Sequence, residues 1–247
     1  FTNNDSAYET AISLFQKGIN IKAIIDNREE VDSKLIKEIE KNNIKIFKGY
    51  TIVDTFGYKK INKISIMQLS KDGQKVVGSK ISIDCDCLGM SGGWTPAVHL
   101  FTQSGGKLRF RDDDQVFIPD IYPSDQISIG SCNGDFTLEE ILTNISKTLK
   151  NFLNIKKTEY ENLEVQSNFN KTKRNIWLLP NDKVIGKTKP FVDYQNDATA
   201  KDIKLALREG FRSIEHVKRY TTTGMGTDQG KLGNMHALGI ISETAGT

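Results

Sequence analysis

Two short runs, Cys87-Leu88-Gly89-Met90-Ser91-Gly92-Gly93-Trp94-Thr95-Pro96 and Gly130-Ser131-Cys132-Asn133-Gly134, set small residues where a buried strand is expected to give way to a helix. Open α/β sheets bind ligands at that edge. Gly92 and Gly93 would let a cofactor approach the backbone closely, because neither carries a Cβ. A tight strand-to-helix turn with Pro96 in the first helical turn accounts for the first run equally well. Two glycine-containing turns at strand ends support a cofactor crevice without naming the cofactor.

The densest polar constellation is Lys218-Arg219-Tyr220-Thr221-Thr222-Thr223-Gly224-Met225-Gly226-Thr227-Asp228-Gln229-Gly230-Lys231. Its glycines, hydroxyls and cations could cradle a phosphate through backbone N–H groups and charge-assisted hydrogen bonds. No Gly-Lys-Ser/Thr follows at the spacing of a Walker loop, and a capped turn between helices is the competing reading.

Near the start, Asp5 or Ser6 caps an amphipathic helix at the place where a dinucleotide fold carries G-x-G-x-x-G, and Asp26 lies where an acidic residue could bond a ribose hydroxyl. The glycines are absent. A capping carboxylate would occupy the free amides and oppose a pyrophosphate through the dipole that should attract it, so this segment reads as a degenerate, structural Rossmann half. Cys85 and Cys87 share one side of an expected strand with no second pair to complete four ligands, and buried small residues are the stronger reading. His99, His216 and His236 fall in three different predicted helices, so no metal site is expected. His99 reads as packed or capping rather than as a base.

The elements that would position these residues belong to a chain of 247 residues, 37% hydrophobic and 26% charged, with 34 basic and 31 acidic side chains. That is the composition of a soluble globular protein of one large or two modest domains. No window approaches the ~18 apolar residues of a membrane span. The formal charge of +3, with both signs mixed along the chain, gives no concentrated field for nucleic acid. Three cysteines are too few for a disulfide framework and no secretory signal is visible, which makes a reducing cytoplasm the simplest compartment. The chain opens on Phe1 and runs almost directly into a helix, as though a strand had been cut upstream, and it reads as a fragment.

Tyr8, Ala11, Ile12 and Phe15 have helical spacing up to Gly18, followed by a buried strand ending at Asp26, a charged helix over 32–41 and a strand over 44–47. Alternation over 60–69 and 74–84, with Ser70-Lys71-Asp72-Gly73 as turn, predicts a β-hairpin with one solvated face. Buried strands are expected over 86–90 and 127–130, and a helix over 136–152. Residues 154–188 are polar and rich in Asn and Lys, and read as a linker with an apolar knot at Ile176-Trp177-Leu178-Leu179-Pro180. Beyond it, Thr199 or Asp197 caps a helix that Gly210 ends, a second helix covers 213–220, and a third follows the glycine-rich loop. The predicted class is α/β: a Rossmann-like nucleotide-binding domain with an inserted antiparallel β-meander over 1–153, the linker over 154–188, and a small all-α domain over 189–247.

Taken together, these residues carry a more specific resemblance. Val192-Asp193-Tyr194-Gln195-Asn196-Asp197, the run Ala206 through Thr222, and Gly226-Thr227-Asp228-Gln229-Gly230-Lys231 resemble the helical domain of heterotetrameric sarcosine oxidase alpha subunits. Thr2-Asn3-Asn4-Asp5-Ser6-Ala7-Tyr8, Ser91 through Leu100, and Asn133-Gly134 are similar to the pyridine-nucleotide-disulfide-oxidoreductase-like domain of that subunit.

The resemblance implies a flavin-dependent oxidase of the CH–NH class. It would demethylate sarcosine to glycine, with hydrogen peroxide and either formaldehyde or methylene-tetrahydrofolate as products. It further implies NAD in this subunit, FAD and FMN mainly in a partner subunit, tetrahydrofolate in the complex, and beta, gamma and delta subunits as partners. Carried onto this chain, NAD contacts would fall at Gly130, Ser131, Cys132, Asn133, Gly134 and Phe136, with Gly92, Gly93 and Thr95 nearby. Lys218, Arg219, Thr221, Thr222 and Lys231 would face the partner subunit near FMN. The glycine fingerprint and a folate-binding domain are expected beyond the two ends, no catalytic residue is assigned, and the piece alone is expected to be inactive. Related amine and opine oxidases carry iron-sulfur clusters in the helical domain, but no cysteine follows Cys132 and none can form here. The alternatives are a related amine or opine oxidoreductase subunit, or a non-catalytic NAD-binding scaffold.

Overall fold

Apolar residues at helical and alternating spacing organise a chain whose computed structural model describes residues 1–31, 34–123, 126–154, 165, 175–183 and 187–246. In chain order these form α1 (Ser6–Gln16), β1 (Ala23–Asp26), α2 (Lys34–Lys41), β2 (Lys45–Lys48), β3 (Tyr50–Phe56), β4 (Lys63–Leu69) and β5 (Val76–Asp84). They continue with α3 (His99–Gln103), β6 (Lys107–Arg111), β7 (Val116–Ile121), α4 (Leu138–Leu153), β8 (Phe191–Asp193), β9 (Ala198–Thr199), α5 (Ala200–Arg208), α6 (Ile214–Thr221) and α7 (Asn234–Ala245). This is the expected α/β class. The chain divides into two compact units, Phe1–Tyr50 with Asp84–Asn175, and Thr51–Ile83 with Ile176–Thr247.

In the first unit, α1 and α2 bury Tyr8, Ala11, Ile12, Ile36 and Ile39 in one cluster with Ile24 and Ile44. Strands β1 and β2 pair in parallel, from Ala23 against Lys45 to Asp26 against Lys48, and α2 is the crossover between them. Thr2 makes parallel bridges to both Asp26 and Ser91. The strand expected over 86–90 does not form. Only its end meets a neighbour, where Gly89 O accepts from Phe1 N at 2.7 Å and Ser91 bridges Thr2, and Met90 stays 60% exposed.

Nor do residues 127–130 form a strand. Gly130, at φ +79°, starts a 3-10 turn over Gly130–Asn133, and Asp135 N closes it on Gly130 O. Between α3 and this turn, β6 and β7 make an antiparallel hairpin that the sequence reading missed. Helix α4 starts where expected, with a capping box in which Thr137 Oγ1 accepts from Glu140 N and Glu140 Oε2 from Thr137 N.

In the second unit the predicted hairpin is β4 and β5, extended by the unpredicted β3 into a sheet of order β3-β4-β5. Ile64, Ser65, Ile66 and Met67 are all buried, so the central strand β4 is covered on both faces. The helical part packs Ala200, Ile203, Ala206 and Leu207 of α5 against Val217 of α6 and Ala237, Ile240 and Ile241 of α7, with Trp177 and Leu178 lying on that core. Gly239, inside α7, permits this: a Cβ there would overlap the Trp177 ring. Helix α5 begins with a capping box between Thr199 and Asp202, so Thr199 rather than Asp197 is the cap. Most of the expected linker lies outside the described residues.

Candidate functional site

At the start of α1, Ser6 N and Tyr8 N find acceptors within the turn, Asn4 Oδ1 and Asp5 O. Asn4 Oδ1, rather than the carboxylate of Asp5, accepts from Ser6 N at 3.2 Å and from Ser6 Oγ at 2.6 Å. Asn4 Nδ2 donates to Ser91 Oγ at 3.0 Å and to Asn3 Oδ1 at 3.1 Å, while Trp94 Nε1 donates to Ser6 Oγ at 3.1 Å. Ser91-Gly92-Gly93 is thus fastened to the α1 turn. Gly93 takes φ +90°, and a Cβ there would approach Asn3 Oδ1 to 3.4 Å. Gly92 and Thr95 are exposed.

Asp5 turns inward. Arg28 Nη2 lies 2.8 Å from Asp5 Oδ1 and 2.7 Å from Asp26 Oδ2, and Tyr8 OH donates to Asp26 Oδ2 at 2.9 Å. All four side chains are buried, Asp26 completely. Burial and then the Asp26 carboxylate push the Tyr8 phenol upward, so it stays neutral. Burial opposes the Arg28 charge, but its bonds to Asp26 and Asp5 outweigh that and hold its pKa above the ordinary value. Two buried carboxylates thus share one guanidinium. Asp26 is therefore not available to a ribose, and a pyrophosphate does not fit at this helix start.

The second turn is anchored separately. Cys132 Sγ contacts Ile129 O at 3.1 Å, Asn133 Oδ1 accepts from Tyr122 OH at 3.0 Å, and Arg111 Nη2 donates to Gly134 O at 3.0 Å. Arg111 also forms an ion pair with Asp114. Gly134 takes φ +82°, and a Cβ there would strike Ile118 and the Arg111 guanidinium. Its lack of a side chain serves this packing. Phe136 N and Thr137 N both donate to Glu140 Oε2 at 3.3 Å, so two amides at the start of α4 already have an acceptor. Ser131 is exposed, and a Cβ on Gly130 would meet only Ile141 at 3.9 Å.

In the second unit, the run after α6 is clamped by side chains of its own domain. Asp193 Oδ2 accepts from Gly224 N at 2.7 Å, Thr227 Oγ1 donates to Gln195 Oε1 at 3.0 Å, and a Cβ on Gly224 or Gly230 would overlap Asn234. Thr221 and Thr223 are buried and share a 2.8 Å hydroxyl contact. Thr222, Arg219 and Lys231 are exposed and Lys218 is half-buried; none of the three cations forms an ion pair among the described residues. The sequence singled out these glycines and cations but missed Asp193, Gln195 and Asn234, which shape the loop from elsewhere in the chain.

Among the described residues no group of three or more His, Cys, Asp or Glu could hold a metal ion. His99 opens α3 exposed rather than packed, while His216 and His236 stand in α6 and α7. No described helix is long and apolar enough to cross a membrane. A groove of about 650 Å³, lined by Phe15, Lys34, Lys37 and Lys41 among others, lies at the end of α1 remote from its sealed start.

Residues 187–247 match the sarcosine oxidase A3 domain. Over 99% of its length the chain is 29% identical to the sarcosine oxidase subunit alpha of Corynebacterium sp. (strain P-1), and over its whole length 29% identical to that of Rhizobium meliloti (strain 1021). The resemblance to sarcosine oxidase alpha subunits holds along the whole chain. The chain spans only about a quarter of these alpha subunits, 26% and 24% of their respective lengths. It also superposes on L-proline dehydrogenase from P. horikoshii with a TM-score of 0.55 and 19% identity, covering 91% of this chain and 44% of that one, which is a likeness of fold.

Proposed function

We propose that this chain forms part of the alpha subunit of a flavin-dependent sarcosine oxidase, which converts sarcosine to glycine with hydrogen peroxide and formaldehyde or methylene-tetrahydrofolate as products. The observation that carries this reading is the match of the whole chain to curated alpha subunits, together with the A3-domain match over 187–247. In this reading residues 1–153 belong to a nucleotide-binding domain, 154–188 to a linker and 189–247 to a helical interface domain. The subunit works in the cytoplasm with beta, gamma and delta partners.

A bound flavin would supply the acceptor for electrons removed at the N-methyl carbon, and oxygen would take them on as peroxide. The part of this chain is binding and orientation. Arg219, exposed in the last turn of α6, and Lys231, exposed at the far end of the clamped loop, suit the phosphate of an FMN held mainly by the partner, with Lys218 and Thr221 of the same turn and Thr222 just after it, whose hydroxyl donates to Thr221 O at 2.6 Å, beside them. Exposed Ser131 suits the hydroxyl or amide edge of NAD, with buried Gly130 shaping the turn beneath it and Cys132, Asn133 and Phe136 flanking it, and with Gly92, Gly93 and Thr95 nearby. The turn is less suited to its phosphates, because Phe136 N and Thr137 N at the start of α4 already donate to Glu140 Oε2. Tetrahydrofolate would bind elsewhere in the complex.

The sealed start of α1 favours a second reading, a scaffold subunit that has given up dinucleotide binding at this turn. NAD content after denaturing the purified full-length subunit separates the two. About one NAD per subunit supports the first reading and none supports the second. A related amine or opine as substrate would appear as a flavin-loaded complex that oxidises another secondary amine but not sarcosine.

A further inference from the structure

We propose that Asp193 is the positioning residue that holds the loop Thr222–Lys231 in the shape its cofactor-facing role requires, an inference that rests on the reading of that loop given above. Asp193 ends β8 and is buried, with 6% of its surface exposed. Its Oδ1 accepts from Gln195 N at 2.8 Å and Asn196 N at 3.0 Å, while its Oδ2 accepts from Gly224 N at 2.7 Å. One carboxylate therefore ties the β8–β9 turn to the turn that ends α6. Every one of these donors is a backbone N–H, so only a group that accepts through both oxygens satisfies them all.

What this clasp holds is strained. Thr222 sits at φ +57°, a left-handed conformation that is costly for a β-branched residue, and Gly224 follows at φ +72°. Such a conformation persists where its surroundings over-determine it. Asn196 Nδ2 grips Thr222 O at 3.2 Å on one side and Asp193 grips Gly224 N on the other. Thr222 stands exposed between buried Thr221 and Thr223, with its hydroxyl donating to Thr221 O at 2.6 Å. Asp193 thus acts on the proposed phosphate contacts through the backbone and without touching the cofactor.

The test uses the full-length protein assembled with its partner subunits and carrying Asp193→Asn, which keeps the shape but points an amide N–H at a backbone N–H. Limited trypsin digestion after Lys231 reads loop opening, and flavin released on denaturation reads cofactor retention. Asp193→Asn is expected to speed cleavage about tenfold or more, since a buried donor loses its charged acceptor, and to lower flavin retention. Adding Thr222→Gly, which accepts a positive φ unaided, is expected to slow cleavage again. Loss of a general structural contact would not be rescued at that position. Unchanged cleavage in Asp193→Asn, or no rescue by Thr222→Gly, overturns the clasp. Faster, rescuable cleavage with full flavin retention leaves the clasp standing and overturns the cofactor-facing reading of the loop. If Asp193→Asn does not assemble, Asn196→Ala must still speed cleavage, and an unchanged rate there overturns the proposal.

Discussion

The guanidinium of Arg28 grips the carboxylate of Asp26 with two nitrogens, Nε at 3.1 and 3.2 Å and Nη2 at 2.7 Å, in a site that solvent does not reach. A cation and an acid at the end of β1, where a dinucleotide fold uses them on its ligand, are here spent on each other and on Asp5. Removing one member of a buried ionic set leaves the others charged and unpaired. Arg28→Ala is expected to destabilise the protein by about 3–5 kcal/mol, with Arg28→Lys intermediate because it cannot reproduce the fork. Denaturant unfolding measures this, and a loss below about 1 kcal/mol would show the network to be dispensable.

Helix entry in the second unit depends on a single hydroxyl. Thr199 Oγ1 both accepts from Asp202 N and donates to Asp202 Oδ2, at the start of a helix that buries Ala200, Ile203, Ala206 and Leu207. Thr199→Ala should cost about 1 kcal/mol, read as a lowered unfolding midpoint. Thr199→Ser should recover most of it.

Gly134 and Ser131 separate stability from binding. Gly134→Val adds bulk against Ile118 and Arg111 at a positive φ and should cost about 1–3 kcal/mol whether or not a cofactor is present. Ser131→Ala should leave stability within about 0.5 kcal/mol of the parent while lowering NAD content. Unchanged NAD content in Ser131→Ala would remove this turn from the cofactor site.

Burial pushes the Asp193 carboxyl upward, but the backbone N–H groups of Gly224, Asn196 and Gln195 outweigh it and hold it below the ordinary Asp range. A carboxyl depressed in the folded state contributes stability that is fully present above the unfolded value of ~3.9 and is lost as pH falls through the lower folded value. The unfolding temperature of the parent should therefore drop more steeply below about pH 4 than that of Asp193→Asn. Parallel curves would mean that the carboxylate is not held in this way.

Much of the fold could be read from local signals. The α1, α5 and α6 helices, the stops at Gly18 and Gly210, and the β4–β5 turn follow from spacing and turn chemistry within a few residues. The β6–β7 hairpin escaped because Pro119 interrupts the strand signal and a bulge at Lys107/Leu108 shifts its register. The stretches 86–90 and 127–130 look like strands by composition, but strand formation needs a neighbour along the whole segment, and that is a tertiary fact. The candidate loop divides in the same way. Its cations and glycines are visible in the sequence, whereas Asp193 reaches Gly224 across 31 residues of chain and only the fold brings them together.

Sarcosine-dependent oxygen uptake tests the account most directly, with the full-length protein assayed alone and then assembled with its partner subunits. The account predicts no uptake by the protein alone, and uptake with matching hydrogen peroxide in the complex. A correctly assembled, flavin-loaded complex that consumes no oxygen with sarcosine would contradict it.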